Sequence, residues 1–370
     1  MSKIKIALLL ICIIGVVALY IFIKGEEDNC PNNKKDIRMG KIYANEKHVT
    51  AISSINNTTL FNRPLCNYYI ASSYNSCCSD NFKKSCVSID PLKTVIKNGA
   101  RVLDFEIFSI NNVPVVAVSP NDNVNLKGSY NYISLDEVFK TIAENAFTSL
   151  NSPNPNDPLF LNFRIKSNRK DIYSKLNKSI LEYFEDRLLD KKWGYGGSDK
   201  DKLQYIKLNK LKSKVIIMAN HDNGNYKRSD NPFYELVNLC TNSTNHRIKK
   251  DYDVINAYSD EDLIDENKTI ETITAPDWSI FNGNSNAKKH HELGCQMVLM
   301  NYSNMDNNME YYINFFNKGG SAFVLKPLGK RWIPPKNNLE QLKKDLPNFK
   351  LTTKHFMGES ESGTKYKFKF

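Results

Sequence analysis

The stretch Ala71-Ser72-Ser73-Tyr74-Asn75-Ser76 follows the short apolar run Asn67-Tyr68-Tyr69-Ile70. Hydroxyls and an amide at the end of a strand are groups that can face a ligand. The tyrosine among them is a weak proton shuttle at neutral pH, because an unperturbed phenol titrates near 10. Imidazole is the side chain suited to moving protons there. His221, two residues beyond the apolar run Val215–Ala219, and the adjacent His290 and His291 are the candidates, and a lone histidine is more often structural. Cys30, Cys66, Cys77, Cys78 and Cys86 crowd one region, with Cys240 and Cys295 far behind. None of them has zinc-site spacing, so no metal site is expected from them. Disulfides within the cluster fit an oxidising compartment.

The elements that must hold these groups alternate. Short apolar runs at 68–72, 102–108, 114–118, 159–165, 215–219, 296–301 and 322–326 predict strands, several of them hydrophobic on both faces. Between them, Ser134-Leu135-Asp136-Glu137 is a capping box ahead of Val138, Phe139 and Ile142 at helical spacing. Ile172, Leu176, Ile180, Phe184 and Leu188 form a second stripe. Met309, Tyr312, Ile313 and Phe316 form a third, closed by Gly319-Gly320. This alternation predicts an α/β fold with a parallel sheet, and its length suits a (β/α)8 barrel. Residues 222–285 are polar and Asn-rich, and read as an insertion or long loops. The tail ends in the alternating sequence Lys365-Tyr366-Lys367-Phe368-Lys369-Phe370, expected as an edge strand.

Ile6 to Ile23 is an uncharged run of 18 residues flanked by Lys3, Lys5 and Lys24. It predicts a transmembrane helix and an uncleaved anchor within residues 1–24. The lysine balance puts the N-terminus in the cytosol and the body outside or in a lumen. Residues 25–63 read as a stalk or lead-in, 64–334 as the barrel and 335–370 as a basic extension. Sequons at Asn56, Asn57, Asn177, Asn242, Asn267 and Asn301 agree with that topology and anticipate a glycoprotein. The net charge of +11 does not announce a nucleic-acid partner, because 51 basic residues are interleaved with 40 acidic ones along the whole chain. It suits a protein drawn to anionic lipid headgroups at a membrane.

Four segments, RPLCNYYIASSYNS, IKNGARVLDFEIFSINNVPVVAVS, NDPLFLNFRI and GCQMVLMNYSNMDNNMEYYINFFNKGGSAFVLKPLGKR, together resemble phosphoinositide-specific phospholipase C. The first three are similar to its X half and the last to its Y half, over residues 64–334. The resemblance implies a distorted (β/α)8 TIM-type barrel. It also implies cleavage of an inositol phospholipid by a ring hydroxyl, with two histidines and a calcium ion held by an Asn and three carboxylates.

Carried over residue by residue, the pattern is broken. The first histidine falls on Tyr74 and the second on Val118, while Asn75 is kept. Two calcium carboxylates fall on Asp104 and Glu106, the third on Arg164. Two headgroup-binding lysines fall on Met218 and Asn220. The resemblance therefore implies a remnant pocket with no catalytic residues and no bound metal, in which Arg164 pairs with Asp104 and Glu106 in place of calcium. The expectation is a pseudoenzyme that keeps its barrel for binding or scaffolding, with weak affinity for inositol phosphates and no identified protein partner. The alternative is a divergent phosphoric diester hydrolase using His221, His290 or His291. A glycosylated ectodomain with neither role is the remaining reading.

Overall fold

A computed structural model describes residues 5, 12–20, 30, 34–44, 50–79, 85–120, 126–220, 230–241, 243–257, 259–275, 283–334, 355–359 and 365–369. The chain divides into two units, Met1–Trp332 and Ile333–Phe370.

The first unit is built on eight parallel strands. They are β1 (Ser72–Ser73), β2 (Val102–Ile110), β3 (Leu159–Ile165), β4 (Val215–Asn220), β5 (Val237–Cys240), β6 (His246–Lys250), β7 (Glu271–Ala275) and β8 (Met297–Met300). They hydrogen-bond in the order β5-β4-β3-β2-β1-β8-β7-β6, so the ladder is continuous except between β5 and β6. This is a nearly closed TIM-type barrel. Around the strands lie α1 (Lys34–Ala44), α2 (Ile89–Lys97), α3 (Leu135–Asn145), α4 (Asp171–Phe184), α5 (Asp251–Ile255), α6 (Asp260–Glu266), α7 (Ala287–Glu292) and α8 (Asn307–Gly319).

Local chemistry sets the boundaries. Ser134 caps α3 by accepting from the Glu137 N–H at 3.2 Å. Asp306 caps α8 through the Met309 N–H at 2.9 Å, and Gly320 ends it in the left-handed region at φ 64°. Past its barrel portion β2 turns through Asn111-Asn112, at φ 49° and 63°, into the antiparallel strand Val113–Ala117. Two positive φ angles are what a two-residue hairpin needs, and Asn tolerates them. Arg101, at the entry to β2, is fully buried. Its guanidinium donates to Ala146 O at 3.0 Å, Ser152 Oγ at 2.8 Å and Asn154 Oδ1 at 2.9 Å, tying the loop after α3 to the base of the sheet.

Two readings of the sequence need correction. Residues 222–285 are not only loops: they supply β5, β6 and β7 of the barrel. Those strands are short, and their inward and outward faces bury Asn238, His246, Glu271, Thr272 and Thr274, so hydropathy conceals them. Nor is the lead-in a free stalk. Ile52, Ile55 and Phe61 are buried, Ile55 N–H donates to Asp157 Oδ1 at 2.6 Å, and Tyr43 of α1 donates to Tyr302 O at 2.9 Å. Cys30 is disulfide-bonded to Cys86. Of the expected membrane span, residues 12–20 are helical and the rest lie outside the described residues. Among the described residues no helix is long and apolar enough to cross a membrane. Of the sequons, Asn56 and Asn57 are exposed. Asn242 lies outside the described residues. Asn267 and Asn301 are buried, and Asn267 donates to Leu293 O at 2.7 Å, so neither is open to a glycan in the folded chain.

The second unit contains a hairpin of His355–Glu359 and Lys365–Lys369, antiparallel. The tail strand is thus paired with a partner of its own unit.

Three buried histidines make the first unit acid-sensitive. Burial lowers His246 and His290 to about 4 and His291 to about 3. A lowered folded-state value means the stabilisation is complete above the ordinary histidine value of 6.5 and is lost as pH falls through about 4. His246 and His291 each withdraw on the order of 2–3 kcal/mol by pH 4, whereas the Asp251 carboxylate 2.6 Å from His290 Nε2 favours that ring's charged form and reduces its share. His291→Phe, which keeps an aromatic ring among Tyr69, Tyr312, Phe315 and Phe316, should lose less stability than the parent between pH 7 and pH 4. Urea titrations at the two pH values would read this, and equal losses would refute it.

Candidate functional site at the barrel mouth

The C-terminal ends of parallel strands are where a barrel places its chemistry, and β1, β2 and β3 bring a compact ionic cluster there. In the sheet register Glu106 lies opposite Arg164 and Asp104 opposite Asn162. Side chains two apart on a strand share a face, so Asp104 and Glu106 project together, as do Asn162 and Arg164. Tyr74 and Asn75 arrive from the turn after β1. Asn75 sits at φ 45°, which lets its own N–H donate to Asp104 Oδ2 at 3.0 Å.

Arg164 is the hub. Its Nε donates to Asp104 Oδ1 at 3.0 Å. Nη1 donates to Glu106 Oε1 at 2.8 Å and to Tyr74 Oη at 3.1 Å. Nη2 donates to Asp104 Oδ2 at 2.7 Å and to Asn75 Oδ1 at 2.7 Å. A guanidinium has five N–H groups, and all five are engaged. The guanidinium carbon also lies 4.4 Å from the centroid of the Tyr74 ring. Every member is 6% exposed or less: Arg164 6%, Tyr74 and Asn75 4%, Glu106 1%, Asp104 0%.

The carboxylates are equally occupied. Asp104 Oδ1 also accepts from Asn162 Nδ2 at 2.7 Å. Glu106 Oε2 accepts from the Ser119 N–H at 2.7 Å. Asn162 and Ser119 escaped the sequence reading. Asn162 had a usable signal, being two residues before Arg164 on one strand face; a backbone donor such as Ser119 leaves none.

The other mapped residues are spread along the neighbouring elements. Val118 is buried, and its carbonyl accepts from the N–H groups of Gly128 and Ser129 at 2.7 and 3.0 Å. Met218 is fully buried on β4, and Asn220, half-buried, ends that strand opposite Arg164. His221 lies outside the described residues. His290 and His291 are not at the mouth cluster. His290 is enclosed by Thr274, Nδ1 to Oγ1 at 3.2 Å, and Asp251, Nε2 to Oδ1 at 2.6 Å. His291 packs 4.6 Å from Tyr69 and 4.4 Å from Phe315, centroid to centroid.

Residues 61–221 match the X domain of phosphatidylinositol-specific phospholipase C. That segment ends just past β4, and β5 to β8 complete the barrel beyond it. Among solved structures the chain is similar to PLC21 of L. pealei, at 19% identity and a TM-score of 0.60, covering 74% of this chain and 38% of that one. PLC21 of S. officinalis gives 18% identity and a TM-score of 0.61, covering 77% and 39%. The chain thus spans about two fifths of the length of those relatives, and at these identities the likeness is one of fold. No curated protein matches it. The barrel and the matched segment together define a class: a TIM-type barrel whose residues 61–221 are similar to the X domain of phosphatidylinositol-specific phospholipase C.

Truncating the hub should be expensive, because breaking a buried ion pair strands its partners. Arg164→Met is expected to destabilise the fold by about 3–5 kcal/mol at neutral pH. Denaturant titration of both proteins measures it; an unchanged midpoint in the variant would show that Asp104 and Glu106 do not depend on the guanidinium.

Proposed function

We propose that this protein is a membrane-anchored, phospholipase C-like pseudoenzyme whose barrel serves binding or scaffolding at a membrane surface, and that it works without calcium. The observation that supports this reading is the saturated guanidinium at the mouth.

Calcium takes six to eight oxygen ligands and is attracted by net negative charge. At the mouth all four carboxylate oxygens of Asp104 and Glu106 already accept hydrogen bonds, three of them from Arg164 itself. A fixed positive charge beside the same acids opposes a second cation. The residues present do not fit the ion.

The proton chemistry is missing as well. Each positioned general acid or base contributes about 10²–10⁴-fold to a rate. Where the resemblance places two histidines the chain has Val118, which holds no proton, and Tyr74, whose hydroxyl oxygen accepts from Arg164. His290 and His291 are enclosed away from the mouth cluster, so the hydrolytic alternative rests on His221. Nor is the pocket a ready phosphate site. Arg164 has no N–H left to offer, and Met218 and Asn220 bring no charge, which favours weak binding of inositol phosphates.

For the membrane part, the support is the 18-residue apolar run with its flanking lysines and the Cys30–Cys86 bridge. A disulfide belongs to an oxidising compartment, which suits a barrel on the extracellular or lumenal side.

Purified full-length chain, assayed on micellar phosphatidylinositol with and without calcium, should release no inositol phosphate. Its melting temperature should not rise with calcium, since an ion that binds only the folded state would raise it. Turnover that disappears in His221→Ala would replace this reading with the hydrolytic one.

A further inference from the structure

We infer that the C-terminal hairpin is a docking element for an anionic lipid bilayer. The inference deepens the membrane part of the reading above and is independent of the barrel's chemistry.

The hairpin register fixes which residues share a face. His355 lies opposite Lys369, Met357 opposite Lys367 and Glu359 opposite Lys365. Phe356 lies opposite Phe368 and Gly358 opposite Tyr366. Opposed residues of an antiparallel pair occupy one face, and successive residues alternate faces. Lys365, Lys367 and Lys369 therefore hold positions of one face with His355, Met357 and Glu359, while Phe356, Gly358, Tyr366 and Phe368 hold positions of the other. Alternation over Lys365–Lys369 is strict.

Aromatic positions on one face and three lysine positions on the other suit a medium that is apolar on one side and electronegative close by. The interface of an anionic bilayer supplies both, seating aromatic rings at headgroup depth while lysines meet the negative surface potential. Charge complementarity selects this occupant: residues 335–370 carry eight lysines against four acidic residues, so the whole segment is attracted, not only its tip.

The test uses full-length chain carrying Tyr366→Trp as a reporter, titrated with phosphatidylcholine vesicles with and without phosphatidylserine. The difference from the parent isolates the reporter from the native tryptophans. With phosphatidylserine the difference emission should shift to the blue, and salt should reverse the shift. Adding Lys365→Gln, Lys367→Gln and Lys369→Gln to the reporter protein should raise the anionic lipid needed for half-effect on the order of 100-fold. The N-terminal apolar run is the same in both proteins, so the comparison cancels its contribution. Equal responses to neutral and anionic vesicles, a triple variant indistinguishable from the reporter protein, or a stronger response to a polynucleotide than to vesicles would each overturn the proposal. Inositol phosphate release, measured in parallel, reports on the pseudoenzyme reading separately.

Discussion

A buried guanidinium with no donor to spare is the constraint on which the barrel mouth is organised. Arg164 has to satisfy five N–H groups in a site closed to water, and the acceptors come from the turn after β1, from β2 and from Tyr74. Pairing of Glu106 with Arg164 across the β2–β3 ladder makes this possible. A slip of one residue in that ladder would turn Arg164 away from the interior and leave both acids uncompensated. A buried ion pair of this kind is weak evidence for net stability, because desolvation offsets much of the attraction. Its effect is on register: three strands and the Tyr74–Asn75 turn can be assembled in only one way.

The opposite end of the barrel handles polarity differently. Arg101 spends its donors on neutral oxygens of a loop, and Asp157 nearby is raised to about 6 by burial despite that guanidinium. His246 and Glu271 lie side by side in the register of β6 and β7, both fully buried. Burial lifts Glu271 to about 8, and the ammonium of Lys326 opposes the shift without cancelling it. At this end the sheet is therefore apolar around β3 and β4, where Phe160, Leu161, Ile216 and Ile217 are fully buried, and polar around β6 and β7.

That division explains what could be seen in the sequence. Strands of the apolar half announce themselves as hydrophobic runs, and caps such as Ser134 and Gly320 fall where turn chemistry puts them. The half made of His246–Lys250 and Glu271–Ala275 has no such signature: a buried Glu beside a buried His looks like a loop until the partner strand is known. The packing of Ile52 and Ile55 was hidden for a related reason, since isolated apolar residues in a polar lead-in show no period. At the mouth the resemblance supplied the ionic residues, whereas Asn162 needed the strand face and Ser119 needed coordinates.

The residues at the mouth are also coupled. An acid in place of Arg164 would bury three carboxylates with no cation beside them, a state far more costly than the present pairing. Restoring a histidine at Tyr74 alone would set an imidazole beside a guanidinium, whose charge disfavours the protonated form that general acid catalysis requires. A histidine at Val118 would gain nothing without either. Each such single change lowers stability or leaves a charge without its partner, so the mouth is held in its paired form by the mutual dependence of its residues.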